Sequence, residues 1–82
     1  MNRIEKMKSS SSPNRFSGIM DCIRDRNVSS EEKQVLLSLK NDKAILGGRR
    51  IASYAIAALV VLGFEKSTND EDAKSLIEAF SN

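Results

Sequence analysis

The chain has 82 residues, 40% of them hydrophobic, with 13 basic against 11 acidic side chains, a single cysteine and no histidine. A chain of this length makes one domain and buries only about 60% of the surface its unfolded form exposes, so its stability is marginal unless a partner or a second copy contributes. Without histidine, the commonest general base, the commonest metal ligand and every Ser-His or Cys-His nucleophile are missing. No pair of acids lies inside an apolar segment, and the lone Cys22 cannot close an intrachain disulfide. These features point away from an enzyme, from cofactors and from metals, and toward a reducing, cytoplasmic compartment.

In chain order, residues 1–12 are polar, serine-rich and without periodicity, and read as a flexible arm. Ser9 to Ser12 and Pro13 stand where a signal peptide would need an apolar stretch. Ser12-Pro13 is a good helix start, and Phe16, Ile19, Met20 and Ile23 follow the i, i+3, i+4, i+7 rule, giving a first helix from Pro13 to about Arg26. Gly18 costs this helix about 1 kcal/mol against alanine. Cys22 lies at the edge of its apolar face.

A second helix opens at Ser29, which has capping-box spacing to Glu32, and puts Val35, Leu36 and Leu39 on one face. Leu37 points away from that face, either to touch a second neighbour or to serve a partner. Asn41-Asp42 either ends this helix and caps a short turn through Lys43 to Leu46 or lies within a longer helix. Gly47-Gly48 reads as a helix stop.

The most apolar stretch, Ile51 to Phe64, covers nearly the whole circumference of a helical wheel, so the helix must be surrounded. At fourteen residues it is short of the roughly 20 that span a bilayer. A strand over Leu59–Phe64 is the alternative, favoured by Val60-Val61 and Gly63. The last helix is expected from about Asp70 to Phe80, with Thr68 and Glu71 at capping-box spacing and Ala73, Leu76, Ile77 and Phe80 on one face. The expected fold is all-α: one domain over 13–82, a small four-helix bundle round the central apolar helix, with the arm over 1–12.

Three short amphipathic helices can hardly enclose a helix that is apolar all round, which favours a second copy or another protein as partner. Phe16, Leu37, Tyr54, Arg49 and Arg50 are the candidate partner-contact residues. Charge is uneven: residues 1–26 carry six basic and three acidic groups, 27–50 five and three, and 51–82 two and five. Such polarity can orient a second subunit head to tail. A nucleic-acid reading would use Arg3, Lys6, Lys8, Arg15, Arg49 and Arg50 as phosphate contacts. Against it stand the small net charge of +2 and the lack of a basic stripe with interleaved aromatics.

The opening Met1-Asn2-Arg3-Ile4-Glu5-Lys6-Met7 and the helical, histidine-free body resemble, over the full length, the small lysis-inhibition regulators of T-even bacteriophages. The resemblance implies a cytoplasmic antiholin that binds the cytosolic N-terminal part of a phage holin and delays lysis of the host. It carries over no functional residues.

Overall fold

The computed structural model describes residues 1–81. Five helices and one very short hairpin follow one another: α1 (Arg3–Lys8), α2 (Ser12–Asp25), α3 (Ser30–Leu39), β1 (Ile45–Leu46), β2 (Arg49–Arg50), α4 (Ile51–Val61) and α5 (Glu71–Ser81). The chain is therefore mostly helical, but with a fifth helix and a hairpin where a four-helix bundle was expected.

The largest departure is at the N-terminus, where a helix replaces the expected flexible arm. The Asn2 side chain accepts from the Glu5 amide at 2.8 Å and the Glu5 carboxylate accepts from the Asn2 amide at 3.0 Å, a reciprocal cap that starts α1. Six residues have no helical stability of their own in water. Tertiary contacts hold them: Met7 is only 1% exposed, packed at Gly18 of α2, and Arg3 reaches three other parts of the chain. Its guanidinium grips both oxygens of Glu32, at 2.7 and 3.0 Å, and donates to Asp25 at 3.0 Å and to the Asn27 carbonyl at 2.9 Å. One side chain thus pins α1 to the end of α2 and the start of α3, with the fork geometry that only arginine offers.

The Ser29 and Glu32 capping box forms as the spacing indicates, with Ser29 as the cap and the Glu32 carboxylate accepting from both the Ser29 amide and Arg3. α3 stops at Leu39. The Asp42 carboxylate then accepts from the Ala44 amide at 2.9 Å and from Arg15 Nε at 2.7 Å, setting up the turn into β1. Gly47-Gly48 is a hairpin turn and not a helix stop. Both glycines have positive φ, +64° and +83°, the pairing that a two-residue turn between twisted antiparallel strands demands.

α4 takes the central position. Eight of its eleven residues are buried, with α2, α3 and α5 packed around it. It ends at Val61, short of Phe64. The Phe64 amide donates back to the Leu59 carbonyl at 2.9 Å and Gly63 takes φ +85°, a left-handed closure that terminates the helix. Leu59–Val61 are helical, so the strand alternative does not form. The cap of α5 falls at Asp70 and not at Thr68: Asp70 Oδ1 accepts from the Ala73 amide at 2.8 Å, while Thr68 Oγ1 accepts from the Asp70 amide at 3.0 Å.

Candidate functional site

A helix apolar on every side needs cover along its whole length, and α4 has it only for part. From Ile51 to Leu59 every residue but Ile56 is buried. Beyond that, Val60, Val61 and Leu62 are only half covered and Phe64 is 37% exposed. The segment after α4 doubles back, because Asp70 sits beside the first turn of α4. Its carboxylate accepts from the Ser53 hydroxyl at 3.1 Å and pairs with Arg50.

Between this returning segment, the end of α4 and α5 lies an open groove of about 560 Å³. Val60 and Ile77 supply its apolar surface, Ser67, Thr68 and Ser75 its small polar walls, and Glu71, Lys74 and Glu78 its charged rim. The Lys74 to Glu71 pair is long, at 3.6 Å, and exposed, so it fixes neither side chain. Glu78 has no ion-pair partner among the described residues. The returning segment is fastened to α3 by Lys40, 2.7 Å from Glu65, and by Lys33, whose ammonium lies 4.9 Å from the centre of the Phe64 ring.

The expected contact residues lie elsewhere. Phe16 meets Tyr54 edge to face, with ring centres 4.8 Å apart, and Tyr54 is buried, so this pair is part of the core and not a free surface. Leu37 is half-buried against the same core. Arg50, capping the start of α4, is engaged by Asp70 and lies 3.5 Å from the Ser53 hydroxyl, while Arg49 is half-buried next to it in β2. The structure joins Phe16 to Tyr54 and Arg49 to Arg50, and none of the five lines the groove. The signal that could have found it was the excess of apolar residues at Val60 to Phe64 over the stripes available to cover them.

Two titrating groups record how tightly the core is closed. Burial pushes the Cys22 thiol up from 9.0 to about 11, with Arg3 opposing and Glu32, Asp21 and Asp25 adding to the rise. Asp70 moves the other way. Burial works against its charge, but the Ala73 amide, the Ser53 hydroxyl and Arg50 outweigh it and hold the carboxyl below its ordinary value.

Comparison with protein families, curated proteins and solved structures finds no match to this chain. Among the described residues no helix is long and apolar enough to cross a membrane, and no group of His, Cys, Asp and Glu is placed to hold a metal ion.

Proposed function

We propose that the chain is a non-enzymatic regulatory protein that holds an apolar segment of another protein in the groove between α4 and α5. In the setting its resemblance suggests, it is a cytoplasmic antiholin and the segment belongs to the cytosolic part of a phage holin. The observation that carries the reading is the half-exposed apolar floor of Val60 and Ile77, at the end of a helix otherwise enclosed.

An amphipathic helix laid into such a groove contributes affinity through its apolar anchors, each worth about 1.5–3 kcal/mol when fully buried. Two or three anchors total about 3–9 kcal/mol, and an association cost of about 4 kcal/mol leaves dissociation constants of about 0.2 mM and weaker. That range suits a contact that has to be released when lysis proceeds.

Nucleic acid is the weaker reading, because four of the six cations it would employ are already engaged. Arg3 is held by Glu32 and Asp25, Lys6 by Asp21, Arg15 by Asp42 and Arg50 by Asp70.

The test is titration of a labelled peptide, the cytosolic N-terminal segment of a T-even holin, into the full chain. Binding is expected to survive added salt and to fall at least about tenfold in Val60→Asp and in Ile77→Asp, a loss of about 1.4 kcal/mol. Absence of binding, or binding indifferent to both substitutions, defeats the proposal. Steep salt dependence with retained binding to duplex DNA would favour the nucleic-acid reading instead.

A further inference from the structure

The same chain carries an apolar knob that matches the groove. Ile45 is 68% exposed, far more than any other large aliphatic side chain within the fold. The hairpin register explains why: Leu46 and Arg49 stand opposite each other, Ile45 and Arg50 likewise, and neighbouring residues in a strand face opposite ways. Leu46 packs against the core, so Ile45 is turned outward. Arg50, opposite it, is held by Asp70, whereas the exposed Lys43 two residues before it has no ion-pair partner among the described residues.

The groove presents the complementary pattern, an apolar floor with a rim of Glu71, Lys74 and Glu78 that carries one net negative charge. The chain's own hairpin cannot fill it. β2 runs directly into the start of α4, whereas Val60 lies ten residues further along the helix, about 15 Å away.

We infer that the hairpin tip of one copy seats in the α4–α5 groove of a second copy, with Ile45 on Val60 and Ile77 and with Lys43 facing Glu71 and Glu78. Because knob and groove are different surfaces, the contact is heterologous and adds copies head to tail. It is also small, below the roughly 1,200 Å² of a stable complex, so assembly is weak and grows with concentration. It occupies the groove that the proposed partner uses, so partner binding and self-association compete.

Sedimentation of the full chain across the micromolar to millimolar range tests this. Average mass is expected to rise with concentration and to fall back in high salt. Ile45→Asp removes the knob at an exposed position and Glu71→Lys with Glu78→Lys reverses the rim. Each variant alone is expected to be monomeric, with an unchanged helical circular dichroism spectrum. Mixed, the two variants have one intact knob and one intact groove between them, and are expected to form a one-to-one dimer that grows no further.

A wild-type chain that stays monomeric at millimolar concentration overturns the inference. So does association that both variants retain, or a mixture that forms no dimer. Ile45→Asp leaves the groove whole, so it should still bind the holin peptide. A failure of self-association is thereby separable from a failure of the partner reading.

Discussion

Replacing Gly18 by alanine sets two opposing effects against each other. Alanine is the better helix former by about 1 kcal/mol, and Gly18 lies in the interior of α2, so local propensity favours the change. Packing opposes it. A Cβ at this position would stand 2.6 Å from Met7 Cγ, 3.0 Å from Lys6 Cβ and 3.1 Å from the Arg3 carbonyl oxygen. Met7 is 1% exposed and cannot swing aside without leaving the core, and the Arg3 oxygen belongs to the backbone of α1. Overpacking of this kind costs about 1–3 kcal/mol. Against the gain in propensity, Gly18→Ala is expected to lose about 1 kcal/mol net, a fall of about 4–8 °C in melting temperature for a domain of this size. Urea titration followed by circular dichroism measures it. In a Met7→Ala background the worst clash is gone, and the cost of Gly18→Ala should shrink by at least about 1 kcal/mol as a coupling between neighbours. If Gly18→Ala raises stability by its full propensity gain in the wild-type chain, α1 does not dock on α2 as described.

Glu32→Ala removes the carboxylate half of the α3 capping box and the acceptor of Arg3 together, leaving the Ser29 hydroxyl bond in place, and should cost about 2–4 kcal/mol by urea titration, more than a cap alone, whose loss costs about 1 kcal/mol. Arg26 closes α2 with φ +65°, so Arg26→Gly should relieve strain and raise stability by about 0.5–1 kcal/mol in the same assay. Glu32 and Asp70 are both held below their ordinary values of 4.5 and 3.8, so the unfolded chain binds their protons more tightly. Their contribution is complete above about pH 4.5 and is lost as pH falls through the lower folded values, which an acid series of thermal melts will show. The Cys22 thiol, raised to about 11, does the reverse: its contribution is complete below pH 9 and declines above it, and alkylation of the thiol at neutral pH should proceed only as fast as the chain opens.

Helix starts marked by side-chain caps were legible in the sequence. Ser29 with Glu32 appears in the fold as its spacing indicates, and the start of α2 lies within one residue of Ser12-Pro13. α1 was not, although Asn2 and Glu5 have the same capping-box spacing. With Ile4 and Met7 as its only apolar pair besides Met1, it shows no periodicity, and the force that orders it comes from residues 11 to 29 positions away. The hairpin was missed because two-residue strands are too short to alternate, so Gly47-Gly48 read as a helix stop, although positive φ serves a hairpin turn equally well. The candidate site was legible only as a shortage of cover for α4. Which end would go short depended on where the chain turned back, and that was decided by Asp70 meeting Ser53 and Arg50.

The grip of Arg3 on Asp25, Asn27 and Glu32 also has an order in time. A chain leaving the ribosome at about 5–20 residues per second exposes α1 first, yet α1 has nothing to hold it until residue 32 has emerged. At that moment α1, α2 and the start of α3 can close together. The apolar α4 starts some twenty residues later, about one to four seconds behind at these rates. The segment most prone to stick to other chains is therefore made when the α2 and α3 surfaces that cover part of it already exist, and α5 closes over it last.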